Sequence, residues 1–471
     1  MPKSSENAYD AIIIGAGIGG LVCGCYLAKA GMKVLICEQH NKPGGYCTSF
    51  KRGKFTFDAA PHCFGSYREE GITRKIFKDL EIDKKLAIIR PNPSDIVITP
   101  DYKVSFWNDL EETIAEVQAT FPKERIKIKD FFYLLIDSNP NSFPRLRSLT
   151  FKQLLDEHFT DKKLKAIFSF PLLGIAGLPP SLISAFVGAK LFSEFLIDGG
   201  YYPQGGMQSL PDALAGRFKE FGGELQLSSR AKRIRVRNNK ATGVVLEGKG
   251  FISSRFVLSN CDARQTFIKL LGKEKVENGF YNKIKKMIPS MSTFISYLGM
   301  DKDFSPFQNP GTALFFSSHY NIDKAYQAIK TGDIEDYGGY ALRIAHDRST
   351  IYVGIPAAYK NKLYWQNKKY KFLDSLIDRI EKYTIPNLSK HVIYKDAATP
   401  QTLNRYTSNY KGASFGWAGI PSQFAVPGLR KPSFIQNLYL VGHWTTLGVG
   451  ISGTAYVGYD TSKMLLRKKN N

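Results

Sequence analysis

Gly15, Gly17 and Gly20 stand in the run Gly15-Ala-Gly17-Ile-Gly19-Gly20, a spacing that lets main chain pass close to a diphosphate. The first glycine permits a tight turn and the second lets backbone approach the pyrophosphate. The third allows the following helix to pack closely, with its unpaired N–H groups aimed at the phosphates. Alone such a match is weak, but here the apolar run Ala11-Ile12-Ile13-Ile14 precedes it and a helical pattern over 21–30 follows it. A second apolar run, 33–37, delivers Glu38 where an acidic side chain meets the adenosine ribose, about 20 residues past the glycines. Near the other end, the apolar run 437–441 leads into a second glycine-rich turn, Gly442 to Gly453, and so to another helix N-terminus that favours negative charge placed against it.

Positioning these residues takes a βαβ unit of an α/β fold at the head of the chain. From Tyr201 onward the pattern again predicts nucleotide-binding elements: a helix over 207–221, a strand over 224–227, paired strands over 233–237 and 242–246, and a buried strand over 256–260. A strand over 437–441 and a helix over 453–466 close the chain. Between these parts lie short strands and amphipathic helices rich in Phe, Leu and Lys. One helix is predicted over 108–120, with Asn108 as N-cap and Glu111 at capping-box spacing. Another, over 182–195, carries the stripe Ile183, Val187, Leu191 and Phe195. The segment 266–394 reads only as mixed and apolar-rich. This interleaving implies two discontinuous domains. Residues 1–70, 200–265 and 395–471 form the nucleotide-binding one, and residues 71–199 and 266–394 a substrate-binding, membrane-facing one.

Composition fits a globular protein: 471 residues, 43% hydrophobic, 13% aromatic and 23% charged, with ordinary Gly and Pro usage, which excludes disordered and collagen-like classes. The 65 basic and 42 acidic side chains leave a net charge of +23, which attracts a polyanion. No nucleic-acid-binding motif is recognised, and the basic run Arg230, Lys232, Arg233, Arg235, Arg237 alternates on a predicted strand as a solvated face. The charge is therefore assigned to anionic lipid headgroups. The uncharged stretch 166–189 is long enough to span a bilayer, but Pro171, Gly174, Gly177 and Pro179-Pro180 are expected to break a continuous helix, leaving a buried pocket lining or a shallow lid. Six cysteines crowd mainly into the first 65 residues without the paired spacing of a zinc site, and they read as small buried residues. A polar start without a signal-peptide pattern predicts a cytoplasmic, peripherally membrane-bound protein.

Asn41-Lys-Pro-Gly44-Gly45-Tyr46 resembles the extension that follows the acidic residue in FAD-binding members of the glutathione-reductase-like group. Taken with Gly15 to Gly20, it joins Phe57-Asp58-Ala-Ala-Pro61-His62, Tyr202-Pro-Gln-Gly205-Gly206-Met207, Val257-Leu-Ser-Asn260-Cys-Asp262 and 437–453. In that order these motifs resemble the phytoene desaturase, carotenoid isomerase and retinol saturase superfamily.

The resemblance implies a glutathione-reductase-like, Rossmann-type FAD-binding domain with a discontinuous α+β substrate domain. It further implies FAD as cofactor, a polyene, isoprenoid or other lipid substrate whose carbon–carbon bonds are desaturated, saturated or isomerised, and peripheral membrane attachment. Carried over by residue, Gly15, Gly17, Gly20, Glu38, Gly44 and Gly45 hold the dinucleotide, Ala231 offers backbone to adenine, and Gly442, His443, Gly450 and Ile451 meet the ribityl chain and flavin. Leu447, Val449 and Ser452 depart from the Pro, Gly and Pro common among relatives. Acid–base candidates are His62, Tyr202 and Arg405, with Tyr201 also weighed. Two alternatives stand beside this reading: a non-catalytic prenyl or acyl carrier on the same fold, and a flavin amine oxidase.

Overall fold

The computed structural model describes residues 8–60, 63–136, 143–333, 336–423, 428–445 and 450–469. Alternation along the strand Tyr9–Ile14 shows how the first sheet is built. Ala11 and Ile13 pack with residues of the helix Ile18–Lys29, whereas Ile12 and Ile14 pack on the opposite side with Leu35, Val257 and Leu440. A strand buried on both faces belongs at the centre of a parallel sheet. Accordingly Tyr9–Ile14 runs parallel to Val34–Cys37 on one side and to Gly250–Ser259 on the other. The seven-stranded sheet is ordered Ala231–Arg237, Lys240–Leu246, Gly250–Ser259, Tyr9–Ile14, Val34–Cys37, Glu224–Gln226. Its seventh strand, Leu438–Leu440, lies parallel to the last residues of Gly250–Ser259, whose first residues pair antiparallel with Lys240–Leu246. The C-terminal helix Gly450–Lys469 packs on Ile18–Lys29.

The segment that reads as merely mixed in sequence builds most of a second seven-stranded sheet. Its order is Val392–Ala398, Ser292–Met300, Thr350–Ala357, Gly339–Ile344, Ala313–Ser317, Asp95–Ile98, Lys103–Phe106. The long helix Lys362–Tyr383 covers one face, where Trp365 stacks on Phe294 at 5.8 Å.

Three local expectations need correction. The cap of the helix Leu110–Thr120 is Asp109, whose side chain accepts from the Glu112 N–H at 2.9 Å, not Asn108. The helix Lys162–Ala176 runs through Pro171 and ends only at Gly177, whose φ is 66°. A proline inside a helix costs about 3 kcal/mol, but Leu164, Ile167, Phe168, Phe170, Leu172 and Leu173 are all buried around it, and that packing holds the helix together. The stretch 166–189 is thus largely the protein's own core rather than a lid. The predicted helix over 182–195 is a shorter helix, Ala185–Leu191, that widens into a π turn at Phe192–Ile197. No described helix is long and apolar enough to cross a membrane.

Candidate active site

Both glycine turns close around one side chain. Gly15 N–H donates to the Cys37 carbonyl and Gly44 N–H to the Ala16 carbonyl, each at 2.8 Å, so the first turn is tied to the strand end and to the second glycine pair. Asn260, at the end of Gly250–Ser259, donates from Nδ2 to the Gly15 carbonyl at 3.4 Å. A Cβ on Gly17 would stand 2.8 Å from that Nδ2, and one on Gly20 would stand 2.3 Å from the Gly15 carbonyl oxygen. Gly442 packs on the other side of the same asparagine. Asn260 is a residue whose role the sequence reading missed; its signal was the polar Ser-Asn-Cys-Asp end of a buried strand. Glu38 is buried, accepts from the Ala16 N–H at 2.8 Å through one oxygen and from the His40 N–H at 2.9 Å through the other, and keeps a lone pair on each for a hydroxyl.

A cavity of about 1010 Å³ takes in this turn and one face of the second sheet. Gly15, Gly17, Glu38, Gly44, Gly45 and Ala231 line it, as do His443, Gly450 and Ile451. From the sheet come mainly alternate residues, Ile295 and Tyr297, Ala313 and Phe315, Ala341 and Arg343, Tyr352 and Gly354, as expected of one face of pleated strands, with Leu342 and the strand end Asp396 to Ala398 also reaching it. Gly174, Ile175 and Phe195 complete the apolar wall. The Tyr297 hydroxyl donates to the Ala59 carbonyl at 2.6 Å, and the Tyr352 hydroxyl accepts from the Asp58 N–H at 2.8 Å, so two tyrosines of the sheet hold the segment that leads toward Pro61.

The family described as flavin containing amine oxidoreductase matches residues 18–332. The chain belongs to this family. Similar proteins include the chloroplastic prolycopene isomerase of Daucus carota, 27% identical with 96% of this chain and 79% of that protein covered. The lycopene-forming phytoene desaturase of Pseudescherichia vulneris is 25% identical, with 97% and 98% covered. These likenesses bear out the resemblance to the phytoene desaturase, carotenoid isomerase and retinol saturase superfamily. Cyclohexylamine oxidase from Brevibacterium oxydans superposes with a TM-score of 0.66 over 99% of this chain and 100% of that one, at 15% identity, which speaks to the fold alone. The protein is an FAD-dependent oxidoreductase with the expected α/β FAD-binding fold, so the non-catalytic carrier is set aside.

In this flavin oxidoreductase the close backbone approach at Gly17, the buried Glu38 and the cavity in front of them fit FAD. Gly15, Gly17, Glu38, Gly44, Gly45 and Ala231 line the cavity where they could hold it, whereas Gly20 and Gly442 do not line it and instead pack against Asn260 or the turn backbone. His443 is half-buried at the cavity wall; Asn409 donates to its Nε2 at 3.3 Å, and Tyr46 stacks on the ring at 6.0 Å. Burial pulls its pKa down to about 4, so the imidazole is neutral near pH 7. Ser452 donates to the Gly65 carbonyl at 2.8 Å, tying the last helix to the loop around Gly65, while Leu447 and Val449 lie outside the described residues.

Of the acid–base candidates, His62 also lies outside the described residues. Tyr202 does not line the cavity; its hydroxyl donates to Asp58 at 2.6 Å, in a carboxylate cage completed by Ser49 Oγ and the Met207 N–H. Tyr201 donates to Asp198 at 2.9 Å, also away from the cavity lining. Arg405, in the last turn of the helix Pro400–Thr407, is exposed at the cavity rim, stacked over Tyr406 at 5.0 Å. The basic strand is mostly solvated as expected: Lys232 pairs with Glu247 at 2.6 Å and Arg233 with Glu274 at 3.5 Å, although Arg230 and Lys232 also reach the cavity edge.

Proposed function

We propose that this oxidoreductase acts on carbon–carbon bonds of an extended apolar polyene or related isoprenoid lipid drawn from an anionic membrane surface. The observation that carries the reading is the cavity itself: it joins the dinucleotide turn to a wall of Ile175, Phe195, Ile295 and Phe315 that suits a long hydrocarbon chain. The names of the relatives, prolycopene isomerase and phytoene desaturase, support the same substrate class. FAD, when bound, supplies acceptance or donation of a hydride. The apolar wall holds the chain extended and excludes water, and Tyr297 and Tyr352 keep residues 58–60 in place beside it. His443 stays neutral and offers no positive charge to the chain. The division into nucleotide-binding parts (1–70, 200–265, 395–471) and substrate-binding parts (71–199, 266–394) belongs to this proposal, the two halves meeting across the cavity.

The membrane part of the reading is supported by the net charge of +23 and by exposed cations at the cavity rim, Lys51, Arg52 and Arg405. Anaerobic mixing of the FAD-loaded protein with prolycopene or phytoene in liposomes tests the substrate. Expected is either a bleached flavin with a desaturated product, or, once an artificial donor has reduced the flavin, a saturated product with the flavin reoxidised or an isomerised product with the flavin unchanged. An unchanged polyene in the presence of fully loaded flavin and artificial electron donors and acceptors would exclude that class.

A further inference from the structure

Glycine in the interior of a strand weakens it, and it often marks a close approach by another backbone or by a ligand. Gly354 lies in the middle of the strand Thr350–Ala357, which is paired on both sides, with Ile295 opposite it on one neighbour and Ala341 on the other. Nothing in the fold requires glycine there. Its φ is outside the left-handed region, and a Cβ built on it would meet no described residue nearer than Thr293, whose Cγ2 stands 3.9 Å away in ordinary contact. The other glycines lining the cavity differ. Gly15, Gly44, Gly45 and Gly450 have positive φ, and a Cβ on Gly17 or Gly174 would crowd Asn260 or Phe315.

Burial along the strands shows where open space begins. Gly354 is the one residue of Thr350–Ala357 that is not buried, and Ala341 is the one residue of Gly339–Ile344 that is not buried. These two stand opposite one another in register, and both line the cavity. Residues opposite one another on neighbouring strands share a face of the sheet, so the row across the second sheet reads Ile295, Gly354, Ala341, Phe315. Along the strands, the opposed pair Tyr352 and Arg343 stands two residues to one side of that row, and Pro356 two residues to the other. Full side chains thus ring a patch where the sheet presents only main chain and one methyl group. With strands about 4.8 Å apart, this recess is two strands, or about 10 Å, wide.

We propose that Gly354 is a specificity-determining residue of this cavity: the recess over Gly354 and Ala341 takes methyl branches of the substrate, which makes the substrate class a methyl-branched rather than a straight chain. The proposal deepens the reading above and rests on it. A straight chain can lie along Ile295 and Phe315 without entering the recess, whereas a methyl branch stands out from the chain and needs a depression of its own depth. Bare main chain lets the branch pack directly against the sheet. An apolar group of that size changes binding on the order of tenfold when its place in an apolar pocket is lost. The recess belongs to the second sheet and the dinucleotide turn to the first, so filling the recess acts on the chain and leaves FAD in place.

Hexahydrofarnesol and dodecanol are saturated alcohols with the same main chain, the first methyl-branched and the second straight. Each is titrated into the FAD-loaded protein to displace the fluorescent methyl ester of parinaric acid. Gly354→Ala should melt no lower than the unmodified protein, because the fold does not call for glycine. Gly354→Val fills the recess, and Ala341→Leu fills it from the neighbouring strand. Both should bind hexahydrofarnesol on the order of tenfold more weakly, with dodecanol within about twofold of its original affinity and the flavin-to-protein ratio unchanged. A lower melting temperature for Gly354→Ala, equal losses of both alcohols in the filled variants, or no loss of either overturns the assignment of Gly354 and leaves the apolar-chain reading standing. Loss of flavin from the filled variants would put the flavin itself over the recess and overturns the assignment in the same way. Binding of neither alcohol nor ester to the loaded, unmodified protein overturns both.

Discussion

His443 Nε2 accepts a hydrogen bond from Asn409 at 3.3 Å, and the direction is fixed from outside the pair. Trp444 Nε1–H, which can only donate, takes the Asn409 oxygen at 2.9 Å, so the Asn409 nitrogen faces the imidazole. The histidine is therefore unprotonated at Nε2 and carries its proton on Nδ1.

A pH dependence of stability follows. The unfolded chain takes a proton on this histidine near its ordinary value of 6.5, whereas the folded chain resists until about 4. Stability from His443 is present above the unfolded value, is lost as pH falls from there toward 4, and is flat below. The span corresponds to about 3 kcal/mol. Melting temperatures across this range should fall less steeply for His443→Gln than for the unmodified protein. His346, which burial also pulls down to about 4, is common to both and cancels in the difference. Parallel curves would show that His443 titrates in the folded state as freely as in water.

Asn260 and the first glycine turn make a second prediction. Gly17→Ala puts a methyl 2.8 Å from Asn260 Nδ2, and a diphosphate held on this turn, as proposed, would meet the same methyl. The variant should fold with a flavin-to-protein absorbance ratio near zero, and Asn260→Ala should lower FAD affinity while leaving the sheet intact. Denaturing the unmodified protein should release FAD into solution, because no covalent link is expected. Full flavin content in Gly17→Ala would place the diphosphate elsewhere.

The difference between what sequence and structure reveal is physical. The βαβ unit was readable because its signals are local: an apolar run, glycines at fixed spacing, a helix and Glu38. The second sheet was not. Its strands Ser292–Met300 and Thr350–Ala357 are buried on both faces, so they lack the alternation that marks a half-exposed strand, and their pairing spans long stretches of chain. Arg343 was invisible for the same reason, since only register brings it onto the cavity face. Pro171 misled because a helix-breaking residue was weighed without the packing that offsets it. Asp109 displaced Asn108 because adjacent residues can both cap, and chain direction rather than residue type chose between them.

Tyr202 supports a third prediction. Asp58 is buried, and burial pushes its carboxyl above the usual range while Ser49, Tyr202 and the Met207 N–H pull it back. Tyr202→Phe removes one of those donors and should lower stability by about 1–3 kcal/mol. FAD content and turnover per flavin should stay near normal, because the hydroxyl is spent on Asp58 outside the cavity lining. A fall in turnover on the order of a hundredfold with flavin retained, the scale of a lost general acid, would put the hydroxyl in the reaction after all.

The rim of the cavity carries the last prediction. Lys51 and Arg52 belong to the hairpin strand Ser49–Arg52, Arg405 to the end of the helix Pro400–Thr407, and Tyr406, 51% exposed, lies beneath the Arg405 guanidinium. Cations beside an aromatic ring at a cavity mouth suit an anionic headgroup layer, each contributing about 1 kcal/mol near such a surface. Replacing all three with glutamine should therefore weaken binding to phosphatidylserine vesicles by roughly a hundredfold at low salt, and high salt should weaken the unmodified protein in the same direction. Flotation with vesicles measures both. The contact would lie on another face if the triple variant floats as well as the original, and electrostatics would have no part in it if neutral phosphatidylcholine vesicles are bound equally well. A membrane held at this rim would let an apolar chain pass from lipid into the cavity without crossing water.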